Sequence, residues 1–240
     1  MKTLVVVPAY NEEACLPTTL EELQALPADF EVLIVNDGSS DATGAIAEKF
    51  CAQRPGWQVV HLPVNCGIGV AVQTGYLYAA QCGRYTYVVQ LDADGQHDPT
   101  TIPTLVQACQ QHQWDLCIGS RFLGHQRGAS GTTRWRRLGI RMLQALIHGL
   151  SGVRLTDPTS GLRCAAPAAW KRFAREYPDD YPEPESAFWA VRSGLRVGEV
   201  PVTMRPRRAG ASSIRRGQSL YYMAKVSLAI LLDRLRAQGR

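Results

Sequence analysis

The first half of the chain alternates apolar runs with helical segments, and this order constrains the fold more than any other feature. Five β-rich apolar runs predict buried strands at residues 3–7, 31–35, 57–62, 85–91 and 114–118. Helices are predicted to begin at residue 12 or 13 and to cover residues 41 or 43 to 53, 68–80 and 99–112. A repeated strand–helix order produces a mostly parallel sheet with helices on both faces, so we predict an α/β fold.

The pattern changes after Arg121. A loop rich in Gly, Ser, Thr and Arg covers residues 124–133, and residues 157–163 are rich in turn formers. The other predicted elements are a helix at 134–150, a helix from Glu183 or Glu185 to Arg192, a strand at 195–202 and a helix at 218–236. Because no internal repeat or linker divides the chain, we predict one domain, residues 1–215, with an amphipathic C-terminal helix in residues 216–240.

The composition excludes several classes of protein. With 45% apolar residues among 240, the chain has enough material for a core, so disorder is excluded. Seven cysteines without a CxxC pair argue against a disulfide framework and a thiolate zinc site, and they fit a reducing compartment. The first apolar run is too short for a signal peptide, and no run reaches the roughly 18 apolar residues of a membrane-spanning helix.

Positive charge is concentrated in two regions. Residues 201–240 contain nine Lys or Arg and one acid, a net charge of +8, whereas the other 200 residues carry −3. Residues 119–156 contain seven arginines and no acid. Two basic regions on a nearly neutral body indicate an anionic partner, which could be a nucleic acid, a phosphorylated ligand or a membrane surface.

A polar group follows each of the five predicted strands. These groups are Asn11–Glu12, Asn36–Asp37, Asn65, Asp92 with Asp94, and Ser120–Arg121. The carboxyl ends of parallel strands meet at one edge of the sheet, where α/β folds bind their ligands. We therefore expect one cleft lined by all five.

Asp92 and Asp94 are two residues apart on extended backbone, so their side chains point the same way. Two convergent carboxylates repel unless a cation lies close to them. Hard oxygen ligands favour Mg²⁺ or Mn²⁺, which would also hold a diphosphate. The alternative is a solvated turn, since Asp and Gly favour turns.

Three further groups at this edge have alternative interpretations. Asp37 can accept hydrogen bonds from a base or a ribose, or it can cap a turn. The Asn65-x-Gly67-x-Gly69 pattern fits a phosphate loop or close helix–strand packing. Arg121 can bind a phosphate or form a surface ion pair.

Together these motifs resemble the sequence blocks of family 2 glycosyltransferases of the GT-A fold, and most closely the dolichol-phosphate-mannose-synthase-like, polyprenyl-phosphate branch. The blocks are Pro8-Ala9-Tyr10-Asn11-Glu12-Glu13, Val35 to Asp41, Asn65-x-Gly67-x-Gly69, Leu91-Asp92-Ala93-Asp94-Gly95-Gln96, Gly119-Ser120-Arg121-Phe122, Asp157 to Arg163, and Glu199-Val200-Pro201-Val202. The resemblance covers about residues 3–215. It implies a GT-A type, Rossmann-like sheet.

The resemblance also implies roles for individual residues. The donor's nucleoside would be held by Pro8, Ala9, Tyr10, Glu12 and Asp37, and the metal and diphosphate by Asp92, Asp94 and Gln96, with Ala93 in the same donor block. Arg121 would lie near the acceptor phosphate or the donor, Asp157 near the reaction centre, and Arg207 on a phosphate. One departure is Gly210-Ala211-Ser212-Ser213, which lacks the family's lysine; Arg215 or Arg216 could replace it.

The implied reaction is a single inverting transfer of a hexose from a GDP- or UDP-linked sugar, with Mg²⁺ or Mn²⁺ as cofactor. A polyprenyl phosphate acceptor is already anionic and needs no strong base, whereas a saccharide hydroxyl needs one. Glu183 and Glu185 are base candidates beside Asp157, although acids also favour a helix N-terminus. We expect the catalytic residues to be Asp94, Asp157 and Glu185.

The final predicted helix combines aliphatic residues with basic flanks, which suits a helix lying in a membrane interface. We expect peripheral binding at the cytoplasmic face of the cell membrane; docking of this helix on the domain's own core or on a second copy is the alternative. Nucleic acid is not expected as a partner, because no recognition motif accompanies the basic residues. Two other functions remain open: transfer to a saccharide of a cell-surface glycan, and a non-catalytic subunit that binds nucleotide sugars.

Overall fold

The structure is a computed structural model that describes residues 1–123, 134–180, 182–205 and 225–233. Its strands are β1 (Lys2–Ala9), β2 (Phe30–Asp37), β3 (Trp57–Leu62), β4 (Tyr85–Gln90), β5 (Leu116–Ser120), β6 (Arg163–Ala165) and β7 (Val197–Pro201). They form one sheet in the order β3-β2-β1-β4-β6-β5-β7. Only β6 is antiparallel to its neighbours β4 and β5, so the predicted mostly parallel α/β sheet is confirmed.

The helices are α1 (Leu16–Leu23), α2 (Thr43–Ala52), α3 (Ile68–Cys82), α4 (Ile102–His112), α5 (Arg134–Ser151), α6 (Pro167–Arg175) and α7 (Pro182–Arg192). The predicted start of the first helix at residue 12 or 13 is wrong. Proline is tolerated only in the first helical turn, so Pro17 forces the helix to begin at Leu16. Asn11, the residue before that predicted start, has φ 52° and lies in the bend that follows β1.

Each face of the sheet carries its own hydrophobic core. Along β1, Val5 and Val7 face α1, α2 and α4, whereas Leu4 and Val6 face α3, α6 and α7. The alternation follows from the two-residue period of a strand. In the core on the α3 side of the sheet, α3 lies so close to β1 that a Cβ on Gly75 would be 2.4 Å from a methyl group of Val6. Helices therefore cover both faces, as predicted.

Residues 225–233 are helical and pack on the α5–α7 side of the sheet. Val226 and Ile230 are fully buried, and two ion pairs, Lys225 with Asp180 and Arg192 with Asp233, join this segment to α7 and the loop before it. Residues 225–233 therefore pack on the domain's own core. The rest of the predicted helix lies outside the described residues. Within the described ranges, no helix has the length and apolar character needed to cross a membrane.

Candidate functional site

The loops after β1 and β2 are joined by hydrogen bonds at the carboxyl edge of the sheet. The backbone N–H of Asn11 donates to Ser39 Oγ (3.0 Å), and Asn11 Oδ1 accepts from the N–H of Ser40 (2.9 Å). The N–H of Glu12 donates to Thr43 Oγ1 (2.8 Å). Pro8 and Ala9 form the buried end of β1, and Tyr10 is exposed just beyond it. The predicted nucleoside-binding residues Pro8, Ala9, Tyr10 and Glu12 therefore lie at the end of β1 and in the turn that follows it.

Asp37 fixes the next loop along the edge. It is buried, and its two carboxylate oxygens accept from the backbone N–H groups of Cys66 (2.7 Å) and Gly67 (2.9 Å). Gly38 has φ 64°, and a Cβ there would lie 2.4 Å from the backbone of Val64. Asp37 thus caps the turn that leads into α3, the second of its two interpretations, and lies in the same edge as the β1 turn.

Gly69 supports close packing rather than a phosphate loop. Its N–H donates to the carbonyl of Asp179 (3.1 Å), and a Cβ on it would lie 2.1 Å from the carbonyl oxygen of Pro178. The partner is therefore the loop before α7, not a strand. Gly67, at φ 93°, supplies the turn that begins α3.

Asp92 and Asp94 follow β4 at the centre of the edge. Asp94 is buried and its Oδ1 accepts from the N–H of Gln96 (3.0 Å). Asp92 is half-buried and its carboxylate lies against Gly161, where an added Cβ would be 2.2 Å from Oδ2. In the described ranges, no group of three or more His, Cys, Asp and Glu side chains could hold a metal ion. Two carboxylates nevertheless fit Mg²⁺ or Mn²⁺, because such ions commonly bind one or two carboxylates together with substrate phosphates.

Glu183, at the start of α7, lies on the same side of the sheet as Asp92. Gln90 Nε2 is 3.5 Å from Asp92 Oδ1 and 3.4 Å from Glu183 Oε1, so one buried amide connects the two carboxylates. Burial raises the pKa of Glu183; the positive charge of Arg163 lowers it, and the negative charge of Asp92 raises it. A carboxyl group with a raised pKa beside an Asp pair is suited to accept a proton.

Glu185 faces a different environment. Its charged neighbours are Lys225, Asp180, Asp233 and Asp179, and burial above all raises its pKa to about 7. Residues two apart on a helix point to nearly opposite sides, which separates Glu185 from Glu183. The structure therefore does not bring Glu185 together with Asp92 and Asp94, and it favours Glu183 of the two base candidates.

Arg121 and Asp157 form a buried ion pair rather than a surface one. Arg121 Nε donates to Asp157 Oδ2 (2.6 Å) and Nη2 donates to Oδ1 (2.6 Å), while the backbone N–H of Arg121 reaches Oδ2 (3.1 Å). Asp157 has 0% and Arg121 5% of its surface exposed. With both oxygens engaged, Asp157 is placed to orient Arg121, and this geometry does not make it a base.

Two groups at this edge, the half-buried Glu199 and the buried His97, were not predicted from the sequence. Glu199 on β7 accepts from the N–H groups of Thr156 (2.7 Å) and Asp157 (2.8 Å), and burial raises its pKa. His97 is 2% exposed, its Nδ1 has no hydrogen-bond partner among the residues that the structure describes, and burial lowers its pKa to about 4. Their positions in the sequence could have indicated both, since Glu199 begins the Glu199–Val202 motif and His97 directly follows Gln96.

A cleft of about 290 Å³ opens beside the Arg121–Asp157 pair. Its lining consists of Phe122, Arg137, Ile140, Arg141, Gln144 and Thr156. Neither Arg137 nor Arg141 has an ion-pair partner among the residues that the structure describes. The cleft therefore combines two available cations with an apolar wall. The other predicted phosphate-binding groups, Arg207 and Arg215 or Arg216, lie outside the described residues, as do residues 210–213.

Comparisons with known proteins agree with this geometry. The sequence profile of "Glycosyl transferase family 2" matches residues 4–175. The chain is 31% identical to polyprenol monophosphomannose synthase of Mycolicibacterium smegmatis over 100% of its own length and 92% of that protein's. It is also 31% identical to undecaprenyl-phosphate mannosyltransferase of Micrococcus luteus over 99% of both chains.

A solved structure extends the match to the fold. Glucosyl-3-phosphoglycerate synthase of Mycobacterium tuberculosis, crystallised with Mn²⁺, UDP and glucosyl-3-phosphoglycerate, is 25% identical, and the match covers 97% of this chain and 79% of that one with a TM-score of 0.71. The sheet, the acidic pair after β4 and these matches lead to one conclusion: the chain is an enzyme of glycosyltransferase family 2, with a GT-A type fold and relatives that transfer sugars to polyprenyl phosphates.

Proposed function

We propose that the protein is an inverting, metal-dependent hexosyltransferase that moves a sugar from a nucleotide-diphosphate donor to a polyprenyl phosphate. The observation that carries this function is the continuity of the edge, in which the acidic pair and the arginine-lined cleft are joined through the 157–161 loop. Gly161 of that loop contacts Asp92, and Asp157 binds Arg121 at the cleft. The donor at the acidic pair and the acceptor in the cleft would thus meet beside the 157–161 loop.

The donor end uses the turns after β1, β2 and β4. Pro8, Ala9, Tyr10, Glu12 and Asp37 would hold the nucleoside of a GDP- or UDP-linked sugar, and Ala93 would line the same site. The two relatives matched along the whole chain are mannosyl enzymes by name, so mannose is the first sugar to test. Arg207 remains a proposed phosphate ligand.

Asp92, Asp94 and Gln96 would hold the metal together with the donor diphosphate. When bound, Mg²⁺ or Mn²⁺ neutralises the charge that develops on the leaving nucleoside diphosphate. The carboxylate of Asp94 is already oriented by the N–H of Gln96, and the carboxylate of Asp92 is confined by Gly161. Such prior orientation reduces the entropic cost of binding the ion and the diphosphate.

The acceptor phosphate would lie in the arginine-lined cleft. Arg137 and Arg141 supply positive charge beside the Arg121–Asp157 pair, and Phe122 and Ile140 provide apolar contact for the first isoprene units. A phosphate oxygen is a nucleophile at neutral pH, so no side chain has to remove a proton. This agrees with the engagement of both Asp157 oxygens by Arg121.

The lipid acceptor requires a membrane-facing surface, and exposed apolar side chains supply one. Leu138 and Met142 on α5, the helix that lines the cleft, are exposed, and so are Leu228, Leu231 and Leu232. We propose that these side chains hold the enzyme at the cytoplasmic face of the membrane as a peripheral protein, supported by Arg137 and Arg141 on α5.

A saccharide hydroxyl is the second candidate acceptor. Glu183 favours it, because a half-buried carboxyl group with a raised pKa beside Asp92 could serve as the base that a hydroxyl requires. With a lipid phosphate acceptor, Glu183→Gln should retain most activity. With a saccharide acceptor the same variant should lose on the order of 100-fold or more.

A donor panel tests the proposed function. Purified protein, Mg²⁺ or Mn²⁺ and a short polyprenyl phosphate are incubated with nucleotide sugars, and glycolipid and nucleoside diphosphate are quantified. We expect glycolipid with one donor, loss of product with EDTA, and at least about a 100-fold lower rate for Asp94→Asn. Asp29→Asn, an exposed acid away from the site, is the matched control. Donor hydrolysis without glycolipid would contradict the lipid acceptor.

A further inference from the structure

Glu199 is a carboxylate that binds protein backbone beside the acceptor cleft. It belongs to β7, the strand that pairs with β5, and it lies opposite Ile118 in the register. Its Oε2 accepts from the N–H (2.7 Å) and the hydroxyl (2.9 Å) of Thr156, and its Oε1 accepts from the N–H of Asp157 (2.8 Å). Three donors from two consecutive residues therefore converge on one side chain.

The turn held by Glu199 connects directly to the groups that face the acceptor. Thr156 lines the cleft, its carbonyl accepts from Gln144 of α5, and its hydroxyl is 2.6 Å from Ser120 Oγ. Asp157 holds the guanidinium of Arg121, and Thr159 Oγ1 accepts a further bond from Arg121 Nη2 (2.8 Å). A rotation of the 156–157 backbone would therefore move both the cleft wall and Arg121.

Placing Glu199 at this position has an electrostatic cost. Partial burial disfavours the charged form of Glu199. Repulsion from the nearby carboxylate of Asp157 disfavours it further. An apolar residue at position 199 would leave the backbone N–H groups of Thr156 and Asp157 without their carboxylate acceptor. Glu199 holds the Thr156–Asp157 turn although its charged form is disfavoured there. This combination indicates that the geometry of the turn matters for the site.

We propose that Glu199 is a positioning residue for the acceptor: it holds the Thr156–Asp157 turn so that Arg121 and the cleft wall keep the orientation that binds the acceptor phosphate. This role rests on the proposed function, because that function places the acceptor phosphate in the cleft. Glu199 itself does not touch the substrate. Its effect should therefore appear in acceptor binding and not in donor binding.

Glu199→Gln tests this role. The amide keeps one oxygen acceptor but directs an NH₂ group at the remaining N–H donors, which should open the turn. We expect the KM for polyprenyl phosphate to rise about tenfold, the size of one lost charge-assisted hydrogen bond, with an unchanged KM for the nucleotide sugar. Glu199→Asp should recover part of the loss. Thr156→Val, which removes only the hydroxyl, should have a smaller effect in the same direction.

The control is Glu31→Gln, which alters a buried carboxylate that binds Lys2, Arg84 and Tyr85 near the opposite end of the sheet. It should lower the melting temperature and leave both KM values unchanged. An equal rise of both KM values in Glu199→Gln, or no rise in either, would overturn the positioning role.

A second readout does not depend on activity. The Arg121 Nε–H resonance in the full chain should shift in Glu199→Gln and stay in place in Glu31→Gln. If the wild-type protein makes no glycolipid, the proposed function fails, and this resonance still decides whether Glu199 positions Arg121. An unshifted resonance would overturn the positioning role.

Discussion

At the scale of single residues, the site depends on polar groups that hold one another rather than on isolated functional side chains. Asp37 binds the backbone of the next loop, Asp157 binds Arg121, and Glu199 binds the turn that contains Asp157. The sequence indicated Asp37 by its place at the end of a predicted strand, and Asp157 only through the resemblance to the family's blocks. It could not indicate their partners, since hydrogen bonds between residues 29 or more positions apart leave no local pattern.

Removing one partner of the Arg121–Asp157 pair should lower the free energy of unfolding strongly. Asp157→Asn leaves a buried guanidinium without a counter-charge, which typically destabilises a protein by about 3–5 kcal/mol. Urea denaturation should show this loss in the free energy of unfolding. Replacing both residues by leucine should restore much of the stability and none of the activity. A single variant as stable as the wild type would contradict the buried pair.

Gly161 limits where the carboxylate of Asp92 can lie. A Cβ at this position would be 2.2 Å from Asp92 Oδ2, and a terminal carboxylate can move away at little cost to the fold. We therefore expect Gly161→Ala to lower kcat/KM by roughly 100-fold with a small change in melting temperature. Gly149→Ala, in α5 with no atom within 4 Å of the added Cβ, is the control and should keep full activity. Equal activity of the two variants would argue against a role for Asp92.

At the scale of elements, α7 separates two carboxyl groups into two environments. Its first turn points Glu183 toward Gln90 and Asp92, whereas Glu185 faces Asp179, Asp180, Lys225 and Asp233. The sequence places both acids in one Pro-Glu-Pro-Glu stretch and cannot distinguish them. Only the packing of α7 against the sheet decides which of them reaches the acidic pair after β4.

The docking of residues 225–233 should depend on pH through Glu185. Its pKa is raised to about 7 in the folded protein, from an ordinary value of 4.5, so folding favours its protonated form. The stabilising contribution is complete below about pH 4.5 and is lost as the pH rises through about 7. The protection factors of the amides of residues 225–233, which correct for the base-catalysed intrinsic exchange rate, should therefore be larger at pH 5.5 than at pH 8. Glu185→Gln should reduce this difference, and an identical pH dependence in that variant would contradict the assignment.

Short elements escaped prediction for a physical reason. The strand β6 has three residues, too few for an alternating pattern, and it lies in the middle of the sheet only because β4 and β5 both pair with it. Helix α6 likewise went unpredicted, although Trp170 and Phe173 pack into the core. The five strands with apolar runs were predicted to within a few residues, and in β1, β2, β4 and β5 burial on both faces leaves a continuous signal in the sequence.

At the scale of the whole molecule, one edge of the sheet carries acidic groups at its centre and a basic, partly apolar cleft beside them. The strand order explains this arrangement, because the insertion of β6 between β4 and β5 brings the 157–161 loop between Asp92 and Arg121. The sequence predicted that all five strand ends would share an edge. The cleft was not predictable, because its lining combines residues from the loop after β5, from α5 and from the loop after α5.

The most direct test of this account compares acceptors that differ only in the phosphate. Polyprenyl phosphate, the polyprenol of the same length and a soluble saccharide are each incubated with the enzyme, Mg²⁺ or Mn²⁺ and the active nucleotide sugar. The account predicts glycolipid from the phosphate alone, with release of one nucleoside diphosphate per product, and loss of that product when Arg137 and Arg141 are both changed to glutamine. Transfer to the polyprenol or to the saccharide at a comparable rate would contradict it.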